Sequence, residues 1–344
     1  MIRTRSYGLI LTVTALLGFS LTAASIDPYP SPEARVQQVR DLAAAHPGVV
    51  QIEEYGKSVG GEPLLIMYLH RPGAAPKPAA WIGGNIHGNE WIGNRMVMAV
   101  AALLLDEHSD PAVTAALDEL DFYLDPCVNP DGYRATWEHA QAGAITESML
   151  PACRKNAHGV DLNRNWPMPG KVTVPIEWAG SPKPASINYR GPAPLSEPET
   201  AALDRFFQEH PQIVAAIEFH ATGAVMFPPH CPSHECIERS KKMCAAFRAA
   251  QPGKKYYRAQ SRVFDTYTGE LEDWLYAQYG VLAMDVEISK AKQNQAACAC
   301  QDYFWIYNPT DPAAWTTHDA RAAIASLREA SRVLGGARIP AEAR

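Results

Sequence analysis

The stretch Ala79-Ala-Trp-Ile-Gly-Gly-Asn-Ile-His-Gly-Asn-Glu90 runs directly into Trp91–Asp106. Its first five residues read as a short apolar strand, and the following GGNIHGNE segment reads as a turn. Trp91–Asp106 carries apolar residues at helical spacing and contains no proline, so it predicts a helix. Strand, turn and helix in this order are the repeating element of an α/β fold.

The same alternation extends outward in both directions. Upstream, residues 35–46 predict a helix that stops before Pro47, and 49–55 and 63–70 predict strands around a Gly-rich turn. Downstream, 121–124 is a strand, and a long loop region reaches about Ser196. Glu197-Pro198-Glu199 opens a helix with Ser196 as its expected N-cap. Strands follow at 213–220 (IVAAIEFH) and 281–288 (VLAMDVEI), with a helix at 269–279 between them and a terminal helix at 318–334. No internal repeat or composition break marks a linker. The expectation is one α/β domain, a central mixed and mostly parallel twisted β-sheet flanked by α-helices.

Composition bounds the function. The chain has 344 residues, 47% hydrophobic and 20% charged, which is an ordinary globular balance. Its formal net charge is −6 and no Lys/Arg-rich stripe is present, which argues against a nucleic-acid partner. The N-terminus reads as a signal peptide over 1–25: Arg3 and Arg5, then an apolar run from Leu9 to Ala24 ending in small residues. Residues 26–344 are then the exported domain, secreted or periplasmic, at a charge of −8 and with no stable membrane span. Seven cysteines lie in that part, so disulfides are expected, and the odd count leaves at least one thiol free unless it pairs between chains. The segment His230-Cys231…His234…Cys236 reads as a disulfide-stapled surface loop rather than a zinc knuckle.

The chemistry starts at His87-Gly-Asn-Glu90. An imidazole and a carboxylate three residues apart can converge on Zn²⁺ from one turn, and a third protein ligand plus water makes a catalytic zinc site. Alone, H-x-x-E is weak. It is followed by Cys153-Arg-Lys-Asn156, Gly159-Val-Asp-Leu-Asn-Arg-Asn-Trp166, His220 at the end of an apolar strand, Asp273-Trp274, and Glu287 thirteen residues after Trp274.

In this order the motifs resemble the zinc carboxypeptidases of the A/B and E/N kinds, from about Asp27 to the C-terminus. HGNE and Val128–Tyr133 (VNPDGY) look more like the E/N branch. The resemblance implies one Zn²⁺ per chain, held by His87, Glu90 and His220. It implies Glu287 as general base, Arg154 as the cation that stabilises the oxyanion, and Asn163 and Arg164 as the pair that holds a substrate's free C-terminal carboxylate. Asp161 matches the carboxylate that orients the first histidine. Tyr267 is the candidate for a tyrosine that closes over the substrate carboxylate, if its loop is two residues shorter than the family's. Asn89 replaces an arginine of the A/B branch, and Ala-Thr-Gly follows His220 in place of Ser-Tyr. Glu272, just before Asp273-Trp274, matches the base of the side-chain pocket, where an acid would favour C-terminal Lys or Arg. His158 reads as a loop residue. The family-like start follows the signal segment directly, which leaves no room for an inhibitory prosegment.

The reading is a secreted metallocarboxypeptidase acting on peptides. Two others stand beside it: a zinc amidohydrolase acting on cell-wall peptides or N-acyl amino acids, and a non-catalytic binding module of the same fold.

Overall fold

The computed structural model describes residues 26–106, 110–167, 180–230, 233–253, 255–259, 269–299 and 301–341. The expected signal segment, Tyr267, Cys231 and Cys300 lie outside them.

Eight strands form one sheet: β1 (Val50–Lys57), β2 (Pro63–Leu69), β3 (Ala79–Gly84), β4 (Asp121–Asp125), β5 (Ile213–Ala221), β6 (Val225–Phe227), β7 (Tyr257–Arg258) and β8 (Leu282–Ile288). Their order is β1-β2-β4-β3-β5-β8-β6-β7. The central run β4-β3-β5-β8 is parallel throughout. Antiparallel pairs flank it, β2 on β4 and β6 on β8. This is the expected mixed sheet.

The helices are α1 (Pro32–Ala45), α2 (Trp91–Leu105), α3 (Pro111–Glu119), α4 (Pro130–Ala142), α5 (Leu150–Arg154), α6 (Pro198–Glu209), α7 (His234–Ala250), α8 (Leu271–Trp274), α9 (Ala291–Cys298), α10 (Phe304–Tyr307) and α11 (Ala313–Leu334). Several start on side-chain caps. Ser31 accepts from the Ala34 N–H, Asp110 from Ala112, Asn129 from Gly132 and Ser233 from Cys236. Proline stands in the first turn of α1, α3, α4 and α6, where its missing N–H costs nothing.

Some sequence expectations shift. Ser196 does not cap α6; Glu197 holds that position, while the Ser196 hydroxyl serves Asn165 and Glu197. The helix expected at 269–279 is the single turn α8 continued by a π-helical turn over 275–279. The expected surface loop at His234–Cys236 is the first turn of α7, and Cys236 is buried there. Cys236 and Cys298 are each disulfide-bonded, whereas Cys127, Cys153 and Cys244 are buried free thiols. Among the described residues no helix is long and apolar enough to cross a membrane.

The sheet separates two apolar layers, and strand periodicity assigns residues to them. On β8, Leu282, Met284, Val286 and Ile288 join the core that contains Val97 and Val100 of α2 and Ile324 and Leu327 of α11. Val281 and Ala283 face the opposite core with Trp81, Leu203 and Phe207. At the C-terminal ends of the parallel strands this second face turns polar. Asp285 and Glu287 continue it on β8, Glu218 and His220 on β5, and Asp125 on β4. Open α/β sheets bind ligands at these carboxyl ends.

Candidate active site

The chain leaves β3 through Asn85, whose φ of 60° turns the backbone sharply. The Asn85 side chain steadies that turn by accepting from the Asn94 N–H at 3.0 Å. Glu90 then occupies the N-cap position of α2, so His87 and Glu90 project from one tight bend. Gly88 lies between them against α4 and α5. A Cβ there would sit 2.2 Å from the Gly132 carbonyl carbon and 2.5 Å from the Cys153 carbonyl oxygen. The Gly88 carbonyl accepts from the Trp91 indole at 2.8 Å and the Thr136 hydroxyl at 3.1 Å.

His220 arrives from the end of β5. Its Nδ1 lies 3.1 Å from His87 Nδ1 and 3.2 Å from Glu90 Oε2, and His87 Nδ1 lies 3.1 Å from Glu90 Oε1. One donor atom from each of the three buried residues falls within 4.8 Å of the others. Two imidazole nitrogens and a carboxylate are the donor set that suits zinc, and their convergence fits a single ion. The far nitrogen of each ring is held. His87 Nε2 lies 3.1 Å from Asp161 Oδ1, and His220 Nε2 lies 3.3 Å from Asp285 Oδ2. Such carboxylates fix the ring orientation and leave the other nitrogen for a metal.

Arg154 connects this set to its surroundings. Its Nε donates to Asp161 Oδ2 at 3.0 Å and its Nη1 reaches Glu90 Oε1 at 3.5 Å. Burial works to raise the Asp161 carboxyl, but Arg154 and His87 outweigh it and hold the group well below the usual range. Asp161 also accepts from the Asn163 N–H and so caps the short turn Leu162–Arg164.

Asn163 and Arg164 follow directly. The Asn163 amide is fixed at both ends, its Oδ1 accepting from Leu271 N at 3.0 Å and its Nδ2 donating to Asp285 Oδ2 at 3.1 Å. Arg164 donates through Nη1 to its neighbour's carbonyl and to Glu270 Oε1 at 3.1 Å. Gly269 is pressed onto this turn, since a Cβ there would lie 2.5 Å from the Arg164 carbonyl oxygen. That close approach sets Glu270 beside Arg164.

Glu287 stands opposite His220 in the β5–β8 register. Burial, and then the neighbouring Glu90 carboxylate, push its carboxyl up to about 7. A cavity of about 480 Å³ is lined by His87, Glu90, Arg154, Asn163, Arg164, His220 and Glu287 together. Seven of the sequence candidates therefore share one space, and Asp161 stands just behind it.

Glu272 is buried on α8 but is not among the described residues lining that space. Among the lining residues that the sequence did not single out are Glu270, Asp285 and Tyr307. Asp285 had a signal, because it lies two positions before Glu287 and so on the same strand face. Tyr307 had none. It depends on Asn308, which accepts from the Ile92 N–H at 3.0 Å and donates to the Asn89 carbonyl at 2.9 Å, latching α10 to the start of α2. His158 is a loop residue whose Nδ1 lies 2.8 Å from Glu197 Oε2.

Comparison with known proteins identifies the family. Residues 36–308 match the family model described as zinc carboxypeptidase. Mouse carboxypeptidase A6 is 34% identical over 266 residues, covering 75% of this chain and 59% of that protein. Pig carboxypeptidase A1 is 30% identical over 246 residues, covering 69% of this chain and 57% of that protein. The chain thus spans a little under three-fifths of the length of these relatives. They are A-type enzymes, although HGNE and VNPDGY look more like the E/N branch. In fold, thrombin-activatable fibrinolysis inhibitor superposes with a TM-score of 0.69 at 22% identity, covering 89% of this chain and 75% of that one. Carboxypeptidase A from Helicoverpa armigera gives 0.69 at 20% identity, covering 90% and 74%. This chain belongs to the zinc carboxypeptidase family.

Proposed function

We propose that the protein is an exported zinc metallocarboxypeptidase that hydrolyses the last peptide bond of peptides with a free C-terminal carboxylate, preferring Lys or Arg at that end. The observation that carries this reading is a single cavity lined by both the three-donor metal set and Arg164. When bound at His87, Glu90 and His220, zinc would supply the Lewis acidity that activates water and polarises the scissile carbonyl.

The chain's own residues carry the remaining steps. Arg164 holds the substrate's terminal carboxylate through its guanidinium, and Asn163, anchored to Leu271 and Asp285, fixes the turn from which Arg164 projects. This places the last peptide bond beside Glu287. Glu287 takes a proton from the attacking water and passes it to the leaving amine; burial, which raises its carboxyl, suits it to both transfers. Arg154 faces the developing oxyanion, and Asp161 keeps its guanidinium in place. Tyr267 is proposed to close over the bound carboxylate and exclude water. The disulfide-bonded Cys236 and Cys298 are consistent with an exported protein.

The test is a chelator-sensitive assay on one peptide in free-acid and C-terminally amidated forms. Only the free acid should be cleaved; cleavage of both at similar rates would count against the reading. Glu287→Gln should retain zinc and lose at least about 10³-fold in kcat. Full activity in that variant would remove Glu287 from the mechanism.

A further inference from the structure

We infer that Asn308 is a positioning residue for the metal site: it caps α2 in place of Glu90, and so leaves the Glu90 carboxylate for the ion. The inference rests on the assignment of Glu90 as a metal ligand.

The first N–H groups of a helix have no carbonyl partner within it, and the N-cap side chain ordinarily accepts from the second or third of them. Glu90 holds the N-cap position of α2 but makes no such bond. Its carboxylate is engaged elsewhere. Oε2 accepts from the Ala221 N–H at 2.9 Å and lies 3.2 Å from His220 Nδ1, and Oε1 lies 3.1 Å from His87 Nδ1. To cap its own helix, Glu90 would have to leave these partners.

The start of α2 is satisfied from outside instead. The N–H of Ile92, the second helical residue, donates to Asn308 Oδ1 at 3.0 Å, across 216 positions of sequence. The next N–H, of Gly93, returns to the Glu90 carbonyl at 3.1 Å, and that of Asn94 donates to Asn85 Oδ1 at 3.0 Å. Ile92 is fully buried, so its N–H has no ready alternative in water.

Asn308 is itself fully buried and held in the orientation this role needs. Its Nδ2 donates to the Phe304 carbonyl and to the Asn89 carbonyl, both at 2.9 Å, and its backbone N–H also donates to Phe304 at 3.0 Å. The Asn89 carbonyl belongs to the peptide that links Asn89 to Glu90. One amide therefore grips both the helix end and the backbone of the ligand. The Phe304 ring meets the Trp91 ring edge-on at 5.1 Å, which seats α10 against the same turn.

A cap that served only the helix would add stability and leave the metal unaffected. The geometry here predicts more. Removing the Asn308 acceptor leaves a buried N–H two residues after Glu90, and the Glu90 carboxylate stands at the position that normally takes it. The helix end then competes with zinc for that carboxylate.

The test measures the zinc affinity of the full chain by competition with a chelator. Asn308→Ala should lower it at least about fivefold, the equivalent of one typical cap. Asn308→Asp keeps an acceptor for Ile92 and should bind zinc at least about threefold more tightly than Asn308→Ala. Ser31→Ala removes the cap of α1, away from the metal. It should lower the thermal midpoint of the zinc-free protein and leave zinc affinity unchanged. If Asn308→Ala does not fold, Asn308→Ser, with its shorter acceptor, takes its place with a loss of at least about threefold. Unchanged affinity in the Asn308 variant, no recovery with Asn308→Asp, or an equal loss in Ser31→Ala overturns the inference. Glu90→Ala separates it from the ligand assignment. If that variant binds zinc as tightly as the parent, the assignment itself falls; if it binds weakly while Asn308→Ala does not, only the role of Asn308 falls.

Discussion

Asp125 shows how one residue of the polar strand ends affects stability. It ends β4 opposite Gly83, whose other partner is Glu218. It accepts from the Tyr55 hydroxyl at 2.8 Å and the Cys127 N–H at 3.2 Å. Burial outweighs both bonds and pushes its carboxyl up to about 7. A carboxyl raised in the folded state stabilises the protein most below its unfolded value of about 4, and that contribution is lost as pH rises toward 7. Asp125→Asn cannot titrate. Between pH 5 and pH 8 its unfolding free energy should therefore gain about 3 kcal/mol on the parent's. Denaturant unfolding at both pH values, with zinc held constant, measures this; an equal difference at the two pH values would refute it. At this scale much of the site was legible in the sequence. His87, Glu90, Arg154, Asn163, Arg164, His220 and Glu287 could be picked out because each stands in a short motif whose order is informative. Among the acids at 270, 272 and 273 the sequence pointed to Glu272, whereas Glu270 is the one that lines the cavity. Which of them faces the cavity depends on where α8 begins, and that is set by Gly269 packing against the Arg164 backbone.

Among the elements, the metal-ligand turn depends on how closely α4 and α5 approach it. Gly88 is the contact, and its neighbours are the backbone of Gly132 and Cys153 rather than flexible side-chain tips. Asn129 fixes that approach by donating to the carbonyls of Ile86 and Arg154 while its Oδ1 caps α4. A methyl group at position 88 must therefore displace a helix or the turn. Gly88→Ala should cost about 1–3 kcal/mol of stability, as overpacking does in tight cores. It should also weaken zinc binding at least about tenfold, because His87 and Glu90 no longer present their donors together. Competition against a chromophoric chelator reads this directly, and unchanged affinity would show that the turn does not need its glycine. The sequence revealed the sheet better than these helices. Strand runs such as IVAAIEFH and VLAMDVEI announce themselves by apolar content, whereas α4 and α7 have mixed faces of Arg, Glu, Gln and Lys around few buried positions. In α7 the His and Cys residues at its start are also compatible with a loop, and the helical spacing of Cys236, Ser240, Met243, Cys244 and Phe247 is masked by polar residues between them.

For the molecule as a whole, the three metal ligands join parts of the chain far apart in sequence. His87 and Glu90 leave the end of β3, and His220 leaves the end of β5, the next strand in the sheet. Around that point Arg154 and Asp161 bring in α5 and the 161–164 turn, and Asp285 brings in β8. An ion that binds the folded chain and not the unfolded one adds RT ln(1 + [L]/Kd), about 4 kcal/mol when free zinc is a thousandfold above Kd. For a chain of this size that corresponds to about 5–10 °C in Tm. Chelation should lower the midpoint by that amount and added zinc should restore it. His220→Ala should abolish the difference between the two conditions while leaving a cooperative transition, because the two apolar layers of the sheet do not include His220. A midpoint indifferent to zinc in the parent protein would mean that His87, Glu90 and His220 do not act as one metal site. The effect should also follow the free zinc concentration logarithmically, which separates binding at a specific site from a general stabilisation by divalent salt.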